Sequence, residues 1–119
     1  MKGEGGVFTH CQSHSKERIE HFLLKALVMK CLQEKRHKAF MEQSVGDGSV
    51  DCYDYTTKYA YEIEPRIDNK KLIAKFNKYS LGGAEEVIMI PYKELWDRVG
   101  VTPKQLRDLR KLVEMYLNA

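Results

Sequence analysis

Short runs rich in Val, Tyr and Ile occupy the middle of the chain and predict three β-strands. They cover residues 37–45, 48–55 and 59–64, with a turn at Gly46, Asp47 and Gly48 between the first two. Pro65 ends the third strand, since proline cannot donate to a sheet ladder. A fourth run, 86–90, is continuously apolar, which is typical of a strand that is buried on both faces and paired in parallel.

Apolar residues recur at helical spacing before these strands, over residues 16–35. The predicted core-facing stripe of this helix is Ile19, Phe22, Leu23, Ala26 and Leu27. On a helical wheel, Glu17 and Glu20 share the apolar edge of the stripe, whereas Arg18, His21, Lys25 and Arg36 are expected on the solvent side. Acids in a first helical turn also complement the helix dipole. That role does not explain why Glu17 and Glu20 lie on the apolar edge.

A second helix is predicted between the third and fourth strands, beginning at Asp68 or Asn69 and running to about residue 79. Its expected inward residues are Leu72, Ile73, Phe76 and Tyr79, and its outward or edge residues are Lys70, Lys71, Lys75 and Lys78. A short helix is predicted over 91–99. A last one starts at Pro103 and carries the apolar stripe Leu106, Leu109, Val113, Tyr116 and Leu117.

The order of elements is therefore α-β-β-β-α-β with helices after it, which predicts an α/β (α+β) fold with a small mixed sheet flanked by helices. The first three strands are expected to form an antiparallel meander. The fourth is expected to join in parallel through a helical crossover. Residues 1–14 are predicted to be a flexible arm. Residues 15–119 form a single domain, with a core at 15–90 and C-terminal helices at 91–119.

The chain has 119 residues, 43% of them hydrophobic and 31% charged, and a net charge of +3, so it can bury a core and bind an anionic partner. Basic residues concentrate in 16–38 and in 70–78. No apolar run is long enough to span a membrane, and no signal peptide is expected. Three cysteines without tight spacing argue against a disulfide framework and for a reducing, cytoplasmic compartment.

Three carboxylates lie inside the predicted strands, where Asp in particular is unfavourable: Asp51 in the second strand, and Glu62 and Glu64 in the third. Carboxylates are the ligands that Mg²⁺ prefers, so a divalent metal site is one explanation. The alternative is that these acids guard a sheet edge or pair with nearby lysines.

Register decides whether the three acids can meet. Glu62 and Glu64 point to one face because side chains alternate along a strand. Asp51 points to that face if odd-numbered residues of the second strand lie opposite even-numbered residues of the third. A turn with an even number of residues would produce this register. A three-residue turn would bring Asp54 there instead. We predict the register that selects Asp51.

This order of elements, with an Asp in the second strand and acids in the third, resembles the PD-(D/E)XK nuclease superfamily, the restriction-endonuclease-like fold, over roughly residues 15–90. The resemblance implies Mg²⁺-dependent hydrolysis of DNA phosphodiester bonds, with Mn²⁺ as a substitute. Asp51 corresponds to the motif Asp and Glu62 to its second acid. The segment Lys16, Glu17 and Arg18 looks like the first helix of archaeal Holliday-junction resolvases, whose Glu joins the metal site.

The sequence departs from the family pattern at Glu64, where the motif usually carries Lys. Glu64 is therefore expected either as a further metal ligand or as a general base, with a lysine supplied by the following helix from Lys71 or Lys75. The predicted catalytic residues are Asp51, Glu62, Glu64 and Lys71. The three acids are expected to bind the metal ion, together with Glu17 or Glu20 of the first helix. Phosphate contacts are assigned to Lys16, Lys70, Lys71 and Lys75.

The leading expectation is a metal-dependent deoxyribonuclease, endo- or exonucleolytic, that can be specific for junctions or other DNA structures. The alternative is a catalytically degenerate nucleic-acid-binding or assembly protein on the same fold. The final helix is expected to serve either as a homodimer surface or as a cover for the sheet. A third interpretation is a zinc module built on His10, Cys11 and His14 with Cys31, His21 or His37.

Overall fold

The computed structural model describes residues 19–99 and 103–117, and side chains within 19–97 and 107–117. These residues form four helices and one four-stranded sheet. In chain order they are α1 (Ile19–Glu34), β1 (Ala39–Val45), β2 (Gly48–Asp54), β3 (Tyr59–Glu64), α2 (Asn69–Ser80), β4 (Glu86–Pro91), α3 (Tyr92–Val99) and α4 (Pro103–Leu117). The predicted mixed α/β class and order of elements are confirmed.

The sheet has the order β1-β2-β3-β4, with β1, β2 and β3 antiparallel and β4 parallel to β3. The predicted meander and the crossover through α2 are therefore both present. Asp68 caps α2, since its side chain accepts a hydrogen bond from the Lys71 backbone N–H.

Helices cover both faces of the sheet. One core cluster joins α1, α3 and α4 to the first face and includes Leu24, Leu32, Ile63, Leu95 and Val113. A second, smaller cluster joins α2 to the other face and includes Val45, Val50, Tyr53, Ala60 and Tyr79. The sheet is thus the middle layer of three, and β4 contributes buried residues on both faces, Val87 to one and Ile90 to the other.

The predicted inward faces of two helices are wrong in part, although Phe22 and Tyr79 are buried as predicted. In α1, Ile19 is 70% and Leu23 38% exposed, whereas Lys25 is 1% exposed. The buried face of α1 is rotated from the predicted one. Apolar residues occur on all sides of this helix, so several rotations would bury a similar apolar area. In α2, Ile73 is 62% and Phe76 41% exposed.

Three residues of the predicted apolar stripe of α4 lie inside the domain. Leu109, Val113 and Leu117 are buried in the same cluster as α1 and the sheet, whereas Tyr116 is partly buried and the Leu106 side chain lies outside the described ones. These three residues cover the sheet and are not available as a homodimer surface.

The regular pairing of β2 with β1 is interrupted at Asp51. The β1–β2 ladder pairs Met41 with Cys52 and Gln43 with Val50, passing over Asp51 and the opposite Glu42. Glu42 has φ 52°, a left-handed conformation that is uncommon outside glycine. As a result Val50 and Tyr53 pack in one cluster, although an unbroken strand would point them to opposite faces.

Candidate active site

Strands β2 and β3 separate at Asp51 and Glu62, and the two side chains take over the backbone hydrogen bonds there. The last ladder pair on this side is Cys52 with Tyr61. Beyond it, the Asp51 N–H donates to Glu62 Oε2 at 2.9 Å, and the Ile63 N–H donates to Asp51 Oδ2 at 2.8 Å. Each carboxylate is thus fixed by the opposite strand, and the two lie side by side.

The register is the predicted one. Tyr53 pairs with Ala60 and Asp54 with Tyr59, so odd residues oppose even ones across a four-residue connection at 55–58. Asp54 is buried at the turn instead. Its carboxylate accepts from the Thr56 backbone N–H at 2.9 Å and lies 2.6 Å from His37 Nδ1, which is a turn-stabilising role.

Two lysines of α2 reach the acids of β3. Lys75 Nζ lies 2.7 Å from Glu62 Oε1 and 3.8 Å from Glu64 Oε2. Lys71 Nζ lies 3.0 Å from Glu64 Oε1. Of the two candidate lysines of the following helix, Lys75 is therefore the one that contacts Glu62.

The environment of Glu62 disfavours its charge. Its side chain is 2% exposed. Burial and the negative charge of Asp51 raise its pKa to about 7, although Lys75 opposes the shift. Burial acts to lower the pKa of Lys75, but the hydrogen bond and charge of Glu62 outweigh it and raise that pKa above its usual value. Lys75 therefore remains an ammonium group at neutral pH.

Two further residues belong to this cluster and were missed by the sequence pattern. His21 Nε2 lies 3.3 Å from Asp51 Oδ2, although the helical wheel placed His21 in solvent. Tyr79 supports Lys75, whose Nζ lies 5.9 Å from the centre of the tyrosine ring, and its hydroxyl donates to the Ser49 carbonyl at 3.0 Å. The spacing of Lys75 and Tyr79, four residues apart on one helix, was the available signal.

The structure does not gather all of the predicted metal ligands. Glu20 lines a separate cavity beside Trp96, whose indole N–H donates to the Glu20 carbonyl at 3.3 Å. Glu17 and Lys16 lie outside the described residues, and Lys70 is exposed at the start of α2. Within 19–99 and 103–117, no three His, Cys, Asp or Glu side chains are grouped closely enough to hold a metal ion together.

The predicted zinc module falls mostly outside the described residues, because His10, Cys11 and His14 all do. Among its predicted further ligands, His21 contacts Asp51, His37 contacts Asp54, and Cys31 is buried in the core. Cys31 and Cys52 are both free thiols.

Comparison with protein-family models, curated proteins and solved structures finds no match to this chain. No helix in the described part of the chain is long and apolar enough to cross a bilayer.

Proposed function

We propose that this protein is a metal-dependent nuclease that hydrolyses DNA phosphodiester bonds, on a restriction-endonuclease-like fold of the PD-(D/E)XK type. One observation carries the proposal. Asp51 and Glu62 interlock where β2 and β3 separate, and the Lys75 ammonium lies 2.7 Å from Glu62. Two adjacent carboxylates with one cation form the charge arrangement that phosphodiester hydrolysis requires.

The residues fit a hard divalent cation. Asp51 and Glu62 offer oxygen donors, Glu64 lies on the same strand face, and burial beside Asp51 leaves Glu62 with a charge that a cation would stabilise. Asp51 and Glu62 would hold Mg²⁺, with water molecules completing its coordination, because Glu64 is not grouped with them closely enough to be a third ligand in the described residues. The ion would supply Lewis-acid polarisation of the phosphoryl oxygen and acidify a water molecule.

Side chains around the carboxylates have separate roles in the proposed reaction. Lys75 carries a positive charge and has no lone pair, so its role is to stabilise the negative charge that develops on the phosphoryl group. His21 contacts Asp51 Oδ2 and restricts the orientation of that carboxylate. Lys71 holds Glu64, and the exposed Lys70 is available for a neighbouring phosphate.

Cleavage assays with labelled junction, flap and linear DNA in Mg²⁺, Mn²⁺ or EDTA test the proposal. We expect cleavage in either metal and none in EDTA. Glu62→Gln and Asp51→Asn should each lower the rate at least about 100-fold, because each removes a charged oxygen donor. The matched control is Glu86→Gln, an exposed acid at the start of β4, which should cleave normally.

Cleavage that persists in Glu62→Gln would refute the assignment of the site. If no substrate is cut in Mn²⁺ although DNA binds with a steep salt dependence, the degenerate binding protein becomes the correct description. The ion pairs that Glu62 and Glu64 make with Lys75 and Lys71 favour that alternative, since they neutralise the acids without a metal.

A further inference from the structure

A second cavity lies next to the carboxylate cluster, on the side of α3. Its lining combines two aromatic, two basic and two acidic side chains: Tyr92, Trp96, Arg66, Lys93, Glu20 and Asp97. Its volume is about 210 Å³. Sites for drug-sized ligands run from about 300 to 1,000 Å³, so this cavity suits one ring system and not a base pair.

His21 connects the cavity to the carboxylate cluster, because it contacts both Tyr92 of the cavity lining and Asp51. The rings of His21 and Tyr92 meet edge to face with their centres 5.8 Å apart, and His21 Nε2 lies 3.3 Å from Asp51 on its other side. The Lys93 backbone N–H donates to the Pro65 carbonyl at 3.2 Å, which ties the start of α3 to the end of β3. A nucleotide in this cavity would therefore be close to a phosphate held at Asp51 and Glu62.

Arg66 lies between this cavity and the open groove at the start of α2. It lines both, and the groove also includes Glu64, Lys70 and Lys71. The groove is lined by three basic side chains and two acidic ones, Glu64 and Asp68. A DNA strand that follows this groove would pass Arg66 before its next base reaches the cavity. Arg66 and Lys93 are placed to contact the phosphates on either side of that base.

The chemistry of the lining matches a single nucleobase. Trp96 is partly exposed, and the bond from its indole N–H to the Glu20 carbonyl holds its ring in place as a stacking surface. Glu20 and Asp97 could accept hydrogen bonds from the amino groups of a base. A pocket for a phosphate would have no use for two carboxylates.

We propose that this cavity receives one unpaired nucleobase of the DNA substrate, stacked on Trp96, so that the protein acts on DNA with a single-stranded or splayed segment next to the cleaved bond. The inference rests on the proposed nuclease function and specifies its substrate class. A base within a duplex cannot enter the cavity without leaving its stack.

Trp96 is the single tryptophan of the chain, so its fluorescence reports on the cavity directly. The experiment titrates the full chain in EDTA with one DNA strand, first alone and then annealed to its complement, and follows both emission and the anisotropy of the labelled DNA. We expect the single strand to quench Trp96 and the blunt duplex to leave its emission nearly unchanged. Arg66→Ala and Trp96→Ala should weaken single-strand binding by about tenfold. The control, Lys30→Ala on the exposed side of α1, should bind normally.

Unchanged Trp96 emission with single strands that do bind, or equal quenching by the duplex, would overturn the inference. So would Arg66→Ala and Trp96→Ala variants that both bind as the parent does. If the protein cleaves DNA but single strands do not quench Trp96 emission, only this inference is refuted. If single strands quench Trp96 emission but the protein cleaves no DNA, only the proposed nuclease function is refuted.

Discussion

Lys75 and Lys71 both reach acids of β3, but they differ in burial and in partner. The side chain of Lys75 is 21% exposed and contacts Glu62, whereas that of Lys71 is 50% exposed and contacts Glu64 alone among the acids of β3. A cation that is partly withdrawn from water interacts more strongly with a developing charge than an exposed one does. This difference favours Lys75 over Lys71 as the lysine that would act in the proposed reaction.

Replacement of each lysine by methionine tests this assignment. Lys75→Met should lower the single-turnover cleavage rate by about 100-fold, while Lys71→Met should lower it by less than about tenfold. Lys30→Met, an exposed lysine on α1, is the matched control. An equally severe loss in Lys71→Met would show that Lys71 is the active cation.

Glu62 should make the stability of the metal-free protein depend on pH. Its pKa is about 7 in the folded chain against 4.5 for an ordinary Glu, so the folded state binds more protons between these values. The stabilising contribution of Glu62 to the free energy of unfolding is therefore complete below pH 4.5. It is lost as the pH rises through about 7. The difference between the two pKa values corresponds to on the order of 3 kcal/mol.

Urea unfolding in EDTA at several pH values between 5 and 8 measures this effect. The free energy of unfolding should fall as the pH rises, and Glu62→Gln, which cannot ionise, should flatten the curve. Glu86→Gln should keep the parental slope. A Glu62→Gln protein with the same slope as the parent would assign the pH dependence to another group.

At the scale of elements, sequence periodicity was sufficient for the order of strands and helices but not for the rotation of α1. Lys25 is buried because its Nζ lies 2.7 Å from Glu42 Oε2, and Glu42 is 17 residues away on β1. No local pattern reveals that partner. The same limit applied to His21, whose position beside Asp51 depends on how α1 crosses the sheet.

The candidate site was predictable where it depended on the alternation of side chains between the two faces of a strand, as for Asp51 and Glu62. The cavity next to it was not, because it joins side chains from α1, the end of β3 and α3. Only packing of elements distant in sequence places Glu20 and Trp96 together, 76 residues apart.

The contact between the β1–β2 turn and the end of α2 positions Lys75. A Cβ on Gly46 would lie 2.2 Å from the Lys78 carbonyl oxygen, and Gly46 has φ +59°. Only glycine allows this close approach. One turn earlier on the same helix, Lys75 reaches Glu62, so a displaced helix end would also move the site.

Gly46→Ala should therefore lower the free energy of unfolding by more than about 2 kcal/mol and reduce cleavage in the surviving folded protein. Gly83→Ala is the control, because Gly83 also has a positive φ, but a Cβ added there would meet no other part of the described chain within 4 Å. It should show only the smaller conformational cost. If both variants unfold at the same urea concentration, close packing at Gly46 contributes nothing.

At the scale of the whole molecule, the first and last helices depend on each other. Leu24, Val28 and Leu32 of α1 pack in the same cluster as Leu109 and Val113 of α4. An ion pair between Glu34 and Arg110 joins the same two helices. The sheet that separates them in sequence is built from hairpins and one crossover, which are contacts of shorter sequence separation.

This arrangement sets an order of events during synthesis. While the chain emerges, α1 is made before the sheet and can pack on it, but the part of its apolar side that meets Leu109 and Val113 is covered only when α4 is made. The β1–β2 hairpin can close at once. Pulse-labelling hydrogen exchange should show the hairpin amides protected before those of α1, and α1 and α4 protected together. Early protection of α1 alone would contradict this order. Until α4 is made, the part of α1 that packs against Leu109 and Val113 stays exposed on the nascent chain, and it is a surface that a chaperone would bind.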